Sequence, residues 1–244
     1  MAIFDDLEAE QDRLDDILSG LDRPQWLAES AAEGWTVRDV ILHLAQSEEA
    51  VVASVNGADL TARPASSGVT LDQVMDQLVQ AERAEPELVF QRWRAARREA
   101  VRALRAADPA QQVSWVAVPF KPATLATTRL AEHWAHGLDI TGPLGIAFPD
   151  TDRLSNIAWL AHRTLPYAFA VAGQEPHQVR CELTAPDGVT TWKYGPADAD
   201  SAISGAAGEF CRVAAQRLAP GQSGLAATGP YGPAALGVLR TYAA

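Results

Sequence analysis

The segment TTRLAEHWAHGLDI, residues 127 to 140, carries residue types that can bind a metal ion. Glu132 and His136 are four positions apart, and on a helix such residues lie on one face, about 6 Å apart at Cβ. A carboxylate oxygen and an imidazole nitrogen each bind a first-row divalent ion at about 2.0–2.2 Å. Three protein ligands with one open position are typical of a catalytic site, so a third ligand has to come from elsewhere in the chain.

Four further histidines are available as the third ligand: His43, His133, His162 and His177. His43 is favoured because it belongs to the inward-facing stripe of another predicted helix, where a lone ring must be hydrogen-bonded or bound to a metal. Metal sites in helical bundles are assembled from facing helices in this way. His133 lies about 100° around the helix from Glu132 and is predicted to point elsewhere. A hydrogen-bonded core histidine is the alternative interpretation of His43.

Two charged residues flank the Glu132 and His136 pair. Asp139 could accept the second ring N–H of His136, as the partners of metal-bound histidines usually do, or it could be an ordinary carboxylate near a helix end. Arg129 could pair with Glu132, hold an anionic substrate over the metal as a catalytic residue, or form a surface ion pair. The residues themselves leave these roles open.

The helices that would position these side chains occupy the first part of the chain. Thr36 and Asp39 form a capping-box-like start for the helix that carries His43. Pro86 predicts a kink in the third helix, which is either one long helix or two in line. Hydrophobic spacing and capping signals together predict five helices, over about 3–21, 37–56, 71–104, 127–142 and 151–173.

The sequence pattern changes after residue 175. Alternating residues on both sides of the turn Pro186-Asp187-Gly188 predict a β-hairpin. A helix over SGAAGEFCRVAAQRL, a short strand and a last helix follow. We therefore expect a mostly helical α+β protein, with a helical bundle and its metal site over 1–174 and a small α+β domain over 175–244.

Composition excludes several classes of function. The chain has 244 residues, 48% apolar residues and a net charge of −11, which is typical of a folded globular protein and unfavourable for binding nucleic acid. No apolar run is long enough to span a bilayer, and the acidic start does not resemble a signal peptide, so we expect a cytoplasmic protein without a membrane partner. Cys181 and Cys211 are expected to be reduced thiols in the core.

Several segments together resemble one family: GWTVRDVILHL, RLAEHWAHGLDI, HRTLPYAFAVAG, VRCELTAPDG and ISGAAGEFCRVAAQRL. They are similar to the DinB-like metalloprotein superfamily, in particular to its actinobacterial branch related to mycothiol-dependent maleylpyruvate isomerase. The resemblance covers nearly the whole chain, and the His…Glu-x-x-x-His set is its specific part. It implies a four-helix bundle with a divalent ion held by His43, Glu132 and His136, followed by an α+β domain. The ion is usually zinc, with nickel and iron as alternatives.

The resemblance also implies a chemistry. In this family the open metal position takes the sulfur of a low-molecular-weight thiol such as mycothiol, which adds to a small electrophile or displaces a group on it. We therefore predict a thiol-dependent transferase or isomerase with a small-molecule substrate, as a monomer or homodimer. Arg129 is a candidate to pair with a substrate carboxylate, together with one of three other arginines. These are Arg212, Arg217 and Arg240.

Two other functions fit the same residues. A metal-activated water at the open position would give a hydrolase or a lyase. A non-catalytic binding protein would instead hold an apolar ligand in a pocket lined by aromatic side chains. The candidates for such a pocket are Trp115, Trp134, Trp192 and Tyr194.

Overall fold

The computed structural model describes residues 3–60, 70–116 and 118–241, and these form a mostly helical α+β protein. The predicted fold class is confirmed. The α-helices of the described part are α1 (Ile3–Ser19), α2 (Arg23–Trp26), α3 (Val37–Val55), α4 (Leu71–Ala81), α5 (Pro86–Ala106), α6 (Pro122–Leu144), α7 (Leu154–Arg163), α8 (Leu165–Val171), α9 (Ala207–Ala214) and α10 (Gly232–Val238). Its strands are β1 (Arg180–Thr184), β2 (Thr191–Tyr194), β3 (Ala202–Ala206) and β4 (Ala226–Thr228).

Four helices, α1, α3, α5 and α6, pack against one another as a bundle. Their inward-facing apolar side chains are removed from solvent, and each such burial contributes about 1.5–3 kcal/mol. Examples from the four helices are Leu14, Val40, Trp93 and Leu130. The packing brings α3 and α6, which carry the predicted metal ligands, into direct contact.

Helix α3 begins where the capping signal predicts. Thr36 Oγ1 accepts the backbone N–H of Asp39, and Asp39 Oδ2 accepts the backbone N–H of Thr36 at 3.1 Å. Asp39 is fully buried and also receives two hydrogen bonds from the guanidinium of Arg83, at 2.8 and 3.0 Å. These bonds fix the first turn of α3 and therefore which of its side chains face the bundle core.

Helix α6 continues past the predicted end at Gly142 to Leu144, and it closes at Gly145 with a φ of 65°. Pro143 lies inside its last turn and has no N–H to give to the carbonyl of Asp139 four residues earlier. That carbonyl instead accepts the backbone N–H of Ala31 at 2.8 Å. The proline is therefore tolerated because another segment supplies the missing donor.

The third predicted helix is two helices, α4 and α5. Pro86 is the first residue of α5, a position where the missing N–H has no helical partner to lose. The proline therefore starts a helix and does not kink one. Helix α4 packs against α3.

The four strands form one sheet in the order β2-β1-β3-β4. Strands β1 and β2 are antiparallel and form the predicted hairpin. Its turn is stabilised by Asp187, whose Oδ1 accepts the backbone N–H groups of Val189 and Thr190 at 2.8 Å each. Gly188 takes a φ of 73°, which a residue without a Cβ adopts at little cost.

The helix predicted over SGAAGEFCRVAAQRL is wrong in its first residues. Ser204 to Ala206 belong to β3, which runs parallel to β1 and pairs Ser204 with Glu182. Helix α9 begins only at Ala207. Pairing with β1 supplies backbone hydrogen bonds that outweigh the weak local preference of these small residues for a helix.

Contacts divide the chain between Phe148 and Pro149, earlier than the predicted boundary between residues 174 and 175. Helix α7 packs against α9 and β2, and α8 packs against α10. Hydrogen bonds reinforce both contacts, from the Tyr194 hydroxyl to the Ser155 carbonyl at 2.9 Å and from the Thr164 hydroxyl to the Arg240 carbonyl at 2.6 Å. On the basis of these contacts, α7 and α8 group with the sheet and not with the helical bundle.

Candidate metal centre

The structure brings His43, Glu132 and His136 together. One donor atom of each residue lies within 4.8 Å of those of the other two. Glu132 Oε2 is 3.8 Å from His43 Nε2 and 3.6 Å from His136 Nε2. The two imidazole rings meet edge to face with their centroids 5.1 Å apart. We call these three residues the metal-ligand cluster, and their role as ligands stays a prediction.

The spacing of the cluster fits a shared ion better than direct hydrogen bonds. Nitrogen–oxygen distances of 3.6 and 3.8 Å are too long for a hydrogen bond. Ligands about 2.0–2.2 Å from a tetrahedral ion are about 3.3–3.6 Å from one another. The two nitrogen–oxygen distances are therefore close to the separation that a divalent ion between these donors would require.

The protonation of His43 and Glu132 suits a cation, whereas that of His136 does not. Burial lowers the pKa of His43, which favours the neutral ring that a metal needs. Burial alone would raise the pKa of Glu132, but the neighbouring His136, His43 and Arg129 bring it well below its usual range, so that it is a carboxylate. Burial alone would lower the pKa of His136, but Asp139 and Glu132 raise it, so a metal would have to displace a proton from this ring.

Asp139 orients His136. Its Oδ2 lies 2.9 Å from His136 Nδ1, and its side chain is fully buried. A proton shared at Nδ1 leaves Nε2 as the nitrogen that faces the cluster. Of the two roles predicted for Asp139, the structure supports the one in which it fixes the tautomer.

His133 lies outside the cluster, in the core of the bundle. Its Nε2 accepts the indole N–H of Trp93 at 3.3 Å, so Nδ1 carries the proton and donates it to the carbonyl of Arg129 at 2.9 Å. Burial, followed by the charge of Arg129, lowers the pKa of His133 to about 3. The ring is therefore neutral and both of its nitrogens are engaged.

Arg129 pairs with a residue that the sequence analysis did not single out. Its Nε donates to Glu48 Oε1 at 2.8 Å, with side chains 4% and 0% exposed. Burial raises the pKa of Glu48, and the guanidinium beside it opposes that shift. A signal was available in the sequence, since Glu48 follows Leu44 by four residues and so occupies a core position of α3.

A core polar layer results from these contacts. We use this name for five residues drawn from all four bundle helices, Gln11, Glu48, Trp93, Arg129 and His133. Gln11 Nε2 lies 3.5 Å from His133 Nε2 and completes the layer on the α1 side.

Trp35 was also missed as a neighbour of the cluster. Its ring lies against His43, with centroids 5.1 Å apart. Its indole N–H donates to Asp76 of α4 at 3.0 Å. The His43 ring is therefore in contact with an indole that is hydrogen-bonded to α4.

The other candidate histidines and arginines lie after Phe148, where contacts divide the chain. His162 Nε2 is 3.0 Å from the carbonyl of Val179, and His177 stacks on Tyr231. Arg212 forms a two-bond ion pair with Asp150 at 2.8 and 2.9 Å. The substrate-binding role predicted for one of Arg212, Arg217 and Arg240 stays a prediction.

The two cysteines, Trp134 and Tyr194 are held by packing or by hydrogen bonds, and the apolar pocket predicted as an alternative stays a prediction. Cys181 and Cys211 are free and buried, and burial raises the pKa of Cys181 to about 12, so the thiol stays protonated. Trp134 is buried in the bundle and the Tyr194 hydroxyl is bound to a carbonyl. Within the described ranges, no helix combines the length and apolar character needed to cross a membrane.

Comparison with known proteins gives matches along most of the chain. The family model described as the mycothiol maleylpyruvate isomerase N-terminal domain matches residues 7–141. Two uncharacterized proteins from two strains of Mycobacterium tuberculosis are each 35% identical over 221 residues, which covers 88% of this chain and 84% of each relative.

Two crystal structures share the fold. They are the mycothiol-dependent maleylpyruvate isomerase, with a TM-score of 0.62, and a histidine-to-alanine mutant of it, with a TM-score of 0.63. Each is 16% identical in sequence, and the match covers 93% of this chain and 91% of the other. At this level of identity the likeness establishes the fold.

Proposed function

Because the chain belongs to the mycothiol maleylpyruvate isomerase N-terminal domain family, we propose that it is a metal-dependent, thiol-dependent enzyme. Its thiol is mycothiol, and its substrate is a small electrophilic metabolite that it isomerises or to which it transfers the thiol. The metal-ligand cluster is the observation that carries this proposal, since three donors from two helices converge within 4.8 Å. The name of the structural relatives supports the thiol and the class of reaction.

His43, Glu132 and His136 would hold the ion. Two neutral imidazoles and one carboxylate leave a divalent site with a net charge of about +1. A bound divalent ion supplies Lewis acidity, which lowers the pKa of a thiol and favours its thiolate. We propose zinc because two imidazoles and a carboxylate with an open position are a common donor set for catalytic zinc.

The chain's own residues orient the site and limit access to it. Asp139 keeps Nε2 of His136 facing the cluster. The side chain of Glu132 is 30% exposed, whereas those of His43 and His136 are 11% exposed each. Small molecules therefore approach the cluster from the side of Glu132.

The proposed reactions begin with the same nucleophile. In an isomerisation, the thiolate adds to an activated double bond, the resulting single bond rotates, and elimination returns the thiolate. In a transfer, the thiolate displaces a leaving group and stays on the product. Neither reaction requires a net oxidant or reductant.

Arg129 as a catalytic, substrate-binding residue stays a prediction. Its Nε is taken by Glu48, and its Nη2 is buried without a hydrogen-bond partner among the described residues. That nitrogen is one donor available to a substrate carboxylate. The buried position of the guanidinium means that such a contact would have to be made inside the bundle.

Measurements with the metal and the thiol varied separately test the proposal. The full-length protein is stripped with a chelator, reloaded with zinc, and assayed with maleylpyruvate as the probe electrophile. Turnover is expected only with both zinc and mycothiol present. Glutathione and bacillithiol serve as thiol controls.

Each alternative function gives a different result in these assays. Turnover without any thiol would contradict the thiol role and favour a metal-bound hydroxide. Full activity of the metal-free protein would contradict the metal role. Tight binding of zinc without turnover of any electrophile tested would favour the non-catalytic binding protein.

A further inference from the structure

The buried ion pair between Glu48 and Arg129 lies beside the metal-ligand cluster. Its Nε to Oε1 distance is 2.8 Å, and both side chains are almost completely removed from solvent. The pair connects α3 to α6, the same two helices that supply the cluster. The cluster and the ion pair are therefore adjacent layers of one helix–helix contact.

The positions along the two helices show how close the layers are. Glu48 follows His43 by five residues on α3, and Arg129 precedes Glu132 by three residues on α6. One turn of helix contains 3.6 residues, so Arg129 is about one turn from Glu132, and Glu48 is about one and a half turns from His43. Residues three apart share a helix face, so Arg129 lies on the face that carries Glu132.

A guanidinium in this place opposes the binding of a cation. Its charge is permanent at any ordinary pH, and burial reduces the screening of that charge by water. Alone, Arg129 would repel a divalent ion and would compete with it for the carboxylate of Glu132. A negative charge bound directly to the guanidinium removes most of that repulsion.

The pair is poorly suited to stabilising the fold as such. It is joined by a single hydrogen bond, and Glu48 Oε2 and Arg129 Nη2 are buried without a hydrogen-bond partner among the described residues. Buried charges with unpaired atoms are often no better for stability than apolar residues of similar size. The location of the pair beside a cation-binding cluster gives its charges a different use.

We propose that Glu48 is a positioning residue that neutralises Arg129, so that His43, Glu132 and His136 can retain a divalent cation. The inference rests on the proposed function, because it requires that the cluster binds a metal. It assigns to Glu48 an electrostatic role that is exerted through Arg129 and not by direct contact with the ion.

Metal titrations of variant proteins test this role. The full-length chain is made metal-free and titrated with Co²⁺ alone at neutral pH, with circular dichroism to verify the helical content of each variant. Glu48→Gln keeps the size of the side chain but leaves Arg129 uncompensated. Its dissociation constant for Co²⁺ is expected to rise about 10- to 100-fold, the usual effect of losing an outer-shell partner.

A second substitution separates charge compensation from simple bracing of the two helices. The double variant Glu48→Gln with Arg129→Met has neither charge, and its affinity for Co²⁺ is expected to return to within about threefold of the wild-type value. The single variant Arg129→Met is expected to bind at least as tightly as the wild type. If Glu48→Gln does not fold, these two variants still distinguish charge compensation from bracing, because bracing predicts that both bind Co²⁺ more weakly than the wild type.

A matched control lies next to Glu48 in the chain. Glu49 pairs through two bonds of 2.7 Å with Arg92 on α5, and its side chain is 45% exposed. Glu49→Gln also removes one charge from α3, yet its affinity for Co²⁺ should be unchanged. An equal loss in Glu49→Gln would show that the general charge of the helix, and not the pair, is responsible.

The results that would overturn the proposal are distinct from those that would overturn the metal site. Wild-type affinity in Glu48→Gln, or a double variant as weak as Glu48→Gln, contradicts charge compensation while the metal site stands. A wild-type protein that does not bind Co²⁺ contradicts the proposed function and the role of Glu48 with it.

Discussion

The metal-ligand cluster and the core polar layer both draw glutamate and histidine side chains from α3 and α6, but the histidines of the two regions pair their polar atoms differently. In the core polar layer, both nitrogens of His133 are engaged, at 2.9 and 3.3 Å. In the cluster, Nε2 of His43 and of His136 stand 3.8 and 3.6 Å from Glu132 and form no hydrogen bond with it. His133 is fully buried, whereas the cluster is partly open through Glu132.

This contrast shows how a structural histidine can be distinguished from a functional one. A buried ring whose two nitrogens both form hydrogen bonds within the protein has no nitrogen left to bind a ligand. Rings and carboxylates whose facing atoms are too far apart for a hydrogen bond can still bind one. Helical position alone predicts that His133 points away from Glu132, but it does not show that both nitrogens of His133 are already hydrogen-bonded.

Metal content of histidine variants provides the sharpest test of the comparison. His43→Ala and His136→Ala each remove one donor of the cluster and are expected to lose the bound ion almost completely, because two remaining ligands hold it poorly. His133→Ala should keep one equivalent. Elemental analysis of the purified proteins measures this, and full occupancy in His43→Ala would end the assignment of the cluster as a metal site.

In the metal-free protein, His133→Ala should reduce stability more than His43→Ala, which is the reverse of the order expected for metal loss. His133→Ala leaves the indole N–H of Trp93 without its acceptor, which is expected to cost about 1–3 kcal/mol in the free energy of unfolding. His43→Ala should cost less, since Nδ1 of His43 is already buried without a hydrogen-bond partner in the described structure. Urea denaturation in the presence of a chelator compares the two, and a larger loss in His43→Ala would contradict the distinction.

Asp39, at the start of α3, belongs to neither the metal-ligand cluster nor the core polar layer. It should have a smaller effect, on the pH dependence of stability. Burial alone would raise the pKa of Asp39, but its bonds with Arg83 and Thr36 lower it. A carboxyl whose pKa is lower in the folded protein contributes stability above its unfolded pKa of about 3.9, and this is lost as the pH falls through the folded value. Asp39→Asn should therefore reduce stability near neutral pH and flatten its decline in acid. An unchanged acid profile, measured by urea denaturation at several pH values, would contradict this.

Local features of the fold were predictable from the sequence because short-range geometry determines them. The capping box of Thr36 and Asp39 starts α3 at the predicted place, and the turn around Asp187 and Gly188 forms the predicted hairpin. Ser204 to Ala206 could not be assigned in this way. Their backbone groups pair with β1, which is distant in sequence, and that pairing decides against a helix.

The candidate site divides along the same line. Glu132 and His136 are four residues apart, which places them on one face of the helix. Asp139 follows His136 by three residues, which places it near that ring. Both relations therefore follow from α6 alone. The partner of Arg129 did not follow from α6. Glu48 belongs to another helix, and its distance from Arg129 depends on how α3 and α6 pack.

The sequence by itself determined the mostly helical fold class, the carboxylate and imidazole that share a face of α6, and the placement of another histidine on the inward side of α3. These depend on backbone geometry that repeats every few residues. Only the tertiary structure decided that His43 meets the other two donors, that His133 accepts a hydrogen bond from Trp93 in the core, and that Arg129 pairs with Glu48. The contacts between helices are set by the packing of many side chains at once, and no spacing within one segment encodes them.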